Sequence, residues 1–332
     1  MPQSLDAAGA VPAPSPAAAI LRALFRRNEI ALLISLIVVI AFFAAASDTF
    51  FTVRNLTNVL GQSALAMTAG IGVAIVFISG EVDVSIGSLV AAVAIPLIVI
   101  MNHTESLALG IAGALALGLA VGMVNGYLAA YLGINSLIVT LGTLFILRGG
   151  VYLYTGQTAI PDDAMLESFF QIGNGRLFGI PYPALIAVFL LLVFAYLMRH
   201  RPFGRQIYAV GGNPEVARLA GYNVKRVKFV CFIISALLAT VAGIMLASRL
   251  GSAVHVAGLG FEFQVVAAVV LGGVSLSGGI GSLFGMALGV LILSFLSNGL
   301  GMLNLATEWQ LVITGGIIIA AVAFDEFKRR RL

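Results

Sequence analysis

The chain has 332 residues, of which 60% are apolar and only 10% charged, against roughly 25% charged in a typical soluble domain. That balance excludes a cytosolic enzyme, a secreted domain and a disordered chain, and points to an all-α polytopic integral membrane protein. The net charge is +4. The single cysteine, Cys231, and the widely spaced His103, His200 and His255 leave little basis for disulfide, metal or redox chemistry.

Residues 1–28 are rich in Ala and Pro, then basic at Arg22, Arg26 and Arg27, and read as a disordered tail leading into a membrane anchor. The first apolar run covers 30–46. Ala44-Ala45-Ala46 resembles a signal-peptide cleavage site, but the run exceeds the ~7–15 residues of an ordinary signal core, so a retained span is expected. Further runs cover 60–79, 84–101, 107–132, 136–154, 182–198 and 229–248. No charge then appears between Glu262 and Glu308, and the glycine-rich stretch 272–279 divides this region into spans near 263–271 and 280–298. A last run covers 309–324. The run at 263–271 is short for a hydrocarbon core of about 30 Å, so a broken helix or completion by neighbouring residues is expected. Backbone amides in lipid must be bonded internally, which makes these runs about ten helices in one membrane domain, 29–327, ending in a basic tail, 328–332.

Fourteen of the eighteen Lys and Arg lie before residue 28, in 199–228 or in 328–331. The positive-inside bias assigns all three segments to the cytoplasm. Six spans precede the large loop and four follow it, both even, as a shared side requires. Residues 155–181 then fall outside, with Asp162, Asp163 and Glu167 against Arg176. The sequence Ile86-Gly87-Ser88-Leu89 recurs as Ile280-Gly281-Ser282-Leu283, and because the match extends no further it reads as shared helix-start chemistry.

The loop 199–228 carries the strongest local signals. Ala209-Val210-Gly211-Gly212 reads as a flexible lead-in. Asn213 is a good N-cap, Pro214 suits the first turn, Glu215 suits the positive dipole end and Gly221 is a natural terminator. Val216, Leu219 and Ala220 form one short apolar face, with Arg218 off it. The spacing predicts a two-turn helix over 213–220, too short to be stable alone. It is either a docking element or part of a solvated basic loop. Between the second and third spans, at the cytoplasmic side, Asp83 is expected to cap the third helix with Ser85 in its first turn; a gating role is the alternative. Arg148 lies inside the fifth span, where a charge is costly. Glu262 and Glu308, near the outer ends of their spans, are its expected ion-pair partners. Asn125, Asn298 and Gln310 either bond across helices or line a path for a neutral hydroxylated solute. The only lysines are Lys225, Lys228 and Lys328, and none follows a glycine, so a nucleotide-binding P-loop is absent.

Together these segments resemble the permease subunits of bacterial monosaccharide ABC importers. Gly80-Glu81-Val82-Asp83-Val84-Ser85-Ile86-Gly87 is similar to the family's G-x-x-D-L-S-V-G element, with Glu81 and Val84 in place of commoner residues. Thr140-Leu141-Gly142-Thr143 with Arg148-Gly149 is similar to its T-L-G-T-x-x-x-x-R-G element. Gly211-Gly212-Asn213 through Gly221, the stretch 271–279 and Asn298-Gly299 match its later elements. The resemblance implies a type II ABC importer-like permease of the bacterial inner (cytoplasmic) membrane, both termini cytoplasmic, paired with a second, identical or related permease chain. A cytoplasmic ATPase with two nucleotide-binding domains would dock below and hold the ATP and magnesium. A periplasmic sugar-binding protein would dock above. This chain would bind no cofactor, catalyse no reaction, and touch lipid but not nucleic acid. An ion-coupled secondary transporter is the competing class, and spans almost free of carboxylates count against it.

Overall fold

The computed structural model describes residues 28–306 together with 308, 309, 312, 313, 315, 316 and 319. The tails expected at 1–27 and 328–332, and Gln310, lie outside the described residues; Asn28 already belongs to the first helix. Eight helices among the described residues are long and apolar enough to cross a membrane. They are α1 (Asn28–Ala46), α2 (Val53–Ile78), α3 (Ile86–Thr104), α4 (Leu107–Gly126), α5 (Ser136–Thr155), α7 (Tyr182–His200), α10 (Val224–Leu250) and α12 (Leu283–Met302). Shorter helices are α6 (Glu167–Asn174), α8 (Pro202–Gly212), α9 (Pro214–Leu219) and α11 (Phe261–Leu271). Helix α4 ends in one π-helical turn, Tyr127–Tyr131. The described positions between 308 and 319 are helical, and the rest of the last run expected at 309–324 lies outside the described residues.

Helices α2, α3 and α10 form the centre. Helix α2 is buried almost throughout, from Ser63 to Ile78, and packs against α7, α10, α11 and α12. Small residues permit this closeness: a Cβ at Gly72 would lie 2.6 Å from the Ser235 Cα of α10, and one at Gly110 of α4 would lie 2.7 Å from the Leu97 carbonyl oxygen of α3. Helix α1 is peripheral and rests on α12, where the Phe43 ring covers Gly299.

One end of the bundle carries α8, α9 and the basic residues of 199–228, and the positive-inside bias assigns it to the cytoplasm. At the opposite end lie two short ribbons, β1 (Ile160–Pro161) paired with β4 (Ser252–Ala253), and β2 (Arg176–Leu177) paired with β3 (Ile180–Pro181). Helix α6 lies there too, with Phe169 fully buried and the Gly173 N–H donating to Ser248 Oγ of α10 at 2.7 Å.

The short helix expected near Phe263 is half a span. Its 11 residues rise only roughly 16 Å. The other half is non-helical chain: from β4, residues 254–260 run back along α3 until Gly258 meets Gly87. A second inward segment comes from the basic end, where residues 81–84 are without regular structure before α3 begins at Ile86. Only Gly80 and Glu81 therefore sit at the cytoplasmic side, and the rest of the 80–87 element dips into the bundle. Non-helical backbone at membrane depth is tolerated where protein buries it. The recurring Ile-Gly-Ser-Leu element marks both helix starts in different registers. It forms the first turn of α3, whereas in the second copy Ser282 is the N-cap of α12 and accepts from the Gly285 N–H.

Candidate transport and coupling site

Asn213 caps α9 as its residue type requires, its side-chain oxygen accepting the N–H groups of Glu215 and Val216 at 3.0 Å each. Ala220 closes the helix and Gly221 leaves it at φ +87°. Only Ala217 faces the protein; Val216 and Leu219 are exposed, Leu219 by 84%. The helix has six residues and leaves its leucine in water. The lead-in expected to be flexible, 209–212, is instead the last turn of α8, with Val210 and Gly211 buried. Gly211 serves close approach rather than mobility.

Three glycine-bearing segments, distant in sequence, meet above α9. A Cβ on Gly211 would collide with the Ile78 carbonyl oxygen and come within 2.7 Å of the Gly279 nitrogen. The Gly279 N–H donates to that same carbonyl at 2.9 Å. Gly278, at φ +87°, would place a Cβ 2.6 Å from the Gly211 oxygen and 2.8 Å from the Gly80 Cα. The ends of α2 and α8 and the loop before α12 thus touch backbone to backbone. Beside them Lys228 of α10 pairs with Glu81 at 2.6 Å, and the Tyr208 hydroxyl of α8 donates to the Gly281 oxygen at 2.9 Å. Burial raises the Tyr208 pKa above its ordinary value, which keeps it a donor.

Deeper, the inward segment at 81–85 is bonded to three helices. The Val82 N–H donates to Ser136 Oγ at 3.0 Å. Asp83 is buried, and its carboxylate accepts from the Ser85 N–H (3.0 Å), Ser85 Oγ (2.7 Å) and Ser235 Oγ of α10 (2.8 Å). Asn125 of α4, also buried, donates to Ser85 Oγ at 3.0 Å and accepts from Thr143 of α5 at 2.6 Å. This corrects the capping expectation: Ser85 is the N-cap of α3 and makes no side-chain cap bond, while Asp83 bridges between helices. A buried carboxylate needs several donors to offset desolvation, and it has three.

Arg148 makes no ion pair. No carboxylate lies within ion-pair distance of it among the described residues, Glu262 and Glu308 included. Its guanidinium donates to the carbonyls of His255 (3.0 Å) and Ala257 (2.8 Å) on the inward segment 254–260, and to Gly87 (3.3 Å) on α3. Those carbonyls have no helical partner along 255–257, so a planar donor fork takes the place of the missing ladder. Arg148 lies roughly 18 Å along α5, past its middle rather than at the outer interface. Glu262, expected at an outer end, is buried in the first turn of α11 against Gly87, with Oε2 lacking a hydrogen-bond partner. Carboxylates therefore do stand at depth, Asp83 on an inward segment and Glu262 in the first turn of the half-span α11. Asn298 of α12 forms a reciprocal amide pair with Asn55 of α2, at 2.9 and 3.0 Å.

Ser235, Ser136 and Asn55 were not singled out in sequence, and Thr143 was named only within a motif. A hydroxyl or amide in or beside an apolar run was the available signal, and it is a weak one because most such groups bond back to their own helix. Gly258 gave no signal of its own.

A bundle of eight long apolar helices with a capped, exposed helix at its basic end is the architecture of a multi-pass membrane protein. The chain belongs to the family described as branched-chain amino acid transport system / permease component, whose model matches residues 55–322. It is 38% identical over 301 residues to the ribose import permease protein of Escherichia coli strain K12, covering 90% of this chain and 93% of that one. It is 37% identical over 324 residues to the L-arabinose ABC transporter permease protein of Azospirillum brasilense, covering 96% and 95%. The ribose import permease protein of Haemophilus influenzae is 34% identical over 298 residues, covering 89% and 92%. No solved structure gives a significant match. The chain is a multi-pass protein of the inner membrane.

Proposed function

We propose that this chain is the non-catalytic permease subunit of an ATP-driven importer that passes a monosaccharide, pentose or hexose, into the cytoplasm. The observation that carries this is near-full-length identity to permeases named for ribose and arabinose. In this reading α9 seats Val216 and Leu219 in a groove of a partner ATPase, as helix-in-groove docking requires. Gly211, Gly212, Asn213, Glu215, Arg218, Ala220 and Gly221 shape and orient that helix. ATP and magnesium belong to the partner, which holds two nucleotide-binding domains. A second permease chain, identical in the simplest case, completes the pathway, and a periplasmic binding protein delivers the sugar to the end that carries α6.

The geometry gives the coupling a route. Displacement of α9 moves α8 directly, and the glycine junction leaves no compressible side chain between α8, Gly80 and Gly278. The loop that starts at Gly80 carries Asp83, so motion at the junction reaches the Asp83–Ser85–Asn125–Thr143 network. Asn125 is the path residue this reading retains, because its partners sit on the inward segment that would move. Asn298, with both its amide groups paired to Asn55, holds α12 to α2. Asp83 and Glu262 would also suit an ion-coupled carrier, but α9 has no role in one.

The test is uptake of labelled ribose, arabinose and xylose in a strain deleted for the gene, with and without the gene restored. Uptake that returns with the gene and stops on ATP depletion supports the proposal. Uptake that survives ATP depletion and collapses with the ion gradient would overturn it.

A further inference from the structure

We propose that the cleft between α1, α7, α8 and α12 at the basic end is a site for one anionic diacyl phospholipid of the cytoplasmic leaflet. Two adjoining cavities carry the inference. The first, about 510 Å3, sets the polar groups of Arg199, Arg205, Tyr208, Ser282 and Glu29 among the apolar side chains of Ala195, Met198, Leu283 and Phe284. The second, about 420 Å3, is almost wholly apolar and is lined by Ile30 and Leu33 of α1 and by Phe284, Ala287, Leu288 and Leu291 of α12. They share Glu29 and Phe284. From that shared wall the apolar groove runs along both helices away from the basic end, toward the bilayer interior.

Two arginines at the mouth of this cleft lack an acidic partner among the described residues, as do Arg218 and Arg226 at the same end, and what sets the cleft apart is the apolar groove that adjoins them. Lys228 is paired with Glu81, Lys225 donates to the Tyr131 carbonyl, and Arg201 lies over the Tyr196 ring. Arg199 and Arg205 have no carboxylate within ion-pair distance among the described residues. Both are exposed and both open onto the first cavity. The one acid there, Glu29, already accepts a hydrogen bond from Ser282 at 2.7 Å. A phosphodiester fits the two guanidiniums, since Arg presents a donor fork matched to phosphate. Headgroup hydroxyls fit the remaining lone pairs of Glu29. An acyl chain fits the groove between α1 and α12, which water would occupy only at a cost. Basic pockets between membrane helices on the cytoplasmic side are the usual form of such sites. The location has a consequence for coupling: Tyr208 lines the cavity and also bonds Gly281, three residues from Gly278 in the glycine junction. A bound lipid would therefore brace α8 and the loop before α12 against each other.

The experiment is native mass spectrometry of the full-length delipidated protein, titrated separately with phosphatidylglycerol, phosphatidylethanolamine and phosphatidylcholine. One phosphatidylglycerol should bind in preference to the other two. The Arg199→Gln/Arg205→Gln variant should bind it roughly 30-fold more weakly, the loss of two basic surface contacts. Arg201→Gln/Arg226→Gln, which removes the same charge from the same end, should bind as wild type. Leu33→Trp, which fills the groove from its exposed side, should lose the lipid with both arginines in place. Glycerol 1-phosphate should not displace the lipid. Equal binding of phosphatidylcholine, equal loss in the two double variants, full retention in Leu33→Trp, or displacement by glycerol 1-phosphate would each overturn the proposal.

Discussion

The glycine junction can be tested with two neighbouring substitutions. Gly211 and Gly212 are consecutive in the last turn of α8, so replacing either by Ala gives a similar gain in helix propensity, up to about 1 kcal/mol. Their surroundings differ completely. A Cβ at Gly212 meets nothing within 4 Å, whereas one at Gly211 enters the space of the Ile78 carbonyl and the Gly279 nitrogen. To admit it, α8 must separate from the loop before α12, and the 2.9 Å bond between Gly279 and Ile78 must lengthen or break. Overpacking of this kind costs about 1–3 kcal/mol, and a lost hydrogen bond adds roughly 0.5–1.5 kcal/mol. Gly211→Ala should therefore be less stable than Gly212→Ala by about 1.5–4.5 kcal/mol. Thermal unfolding of the two purified variants in the same detergent reads the difference as a lower midpoint for Gly211→Ala. Superimposable curves would show that the junction is slack, and the route from α9 to the inward segments would lose its rigid link.

Arg148→Lys keeps the charge but offers one ammonium where a fork spans two segments. At roughly 1.5–3 kcal/mol for each charge-assisted bond, it should lower the unfolding midpoint and abolish uptake, and a variant with wild-type midpoint and uptake would show that the carbonyls of 255–257 need no donor. A double-mutant cycle on Asn55→Ala and Asn298→Ala should return a coupling of about 1 kcal/mol, near the range for interhelical polar pairs in membranes; strict additivity would mean that the amide pair contributes nothing. Asn125→Leu removes the links to Ser85 and Thr143, so it should reduce sugar uptake while the protein still inserts at wild-type level, and full uptake would assign Asn125 to packing alone.

The parts legible in sequence were those set by local chemistry. The bounds of α9 follow from Asn213, Pro214 and Gly221, each acting within one turn, and the long spans follow from hydropathy because lipid permits no other backbone. The inward segments were not legible. Residues 82–85 carry the same apolar content as a helix start, and their dip into the bundle is imposed by contacts with Ser136, Ser235 and Asn125 on three other helices. Arg148 looked like half of an ion pair because its true partners are backbone carbonyls, which carry no residue-type signature. Gly211 looked flexible for the same reason: a glycine needed for mobility and one needed for contact are the same letter, and only the approach of Ile78 and Gly279 separates them. Helix α6 was hidden in a polar segment whose one fully buried side chain, Phe169, finds its place only when the helix packs on α10 and α7.

The central claim is that α9 couples this chain to a partner ATPase through an exposed leucine. Leu219→Asp puts a charge into that contact, where an unpaired buried charge is strongly unfavourable, and leaves the fold alone because Leu219 touches water in the free chain. The measurement is co-purification of the variant with the partner ATPase, followed by ATP hydrolysis with and without the sugar-loaded binding protein. The account predicts a correctly inserted permease that loses both the ATPase and the sugar-stimulated hydrolysis. Wild-type association and stimulation in Leu219→Asp would contradict it and place the coupling contact elsewhere.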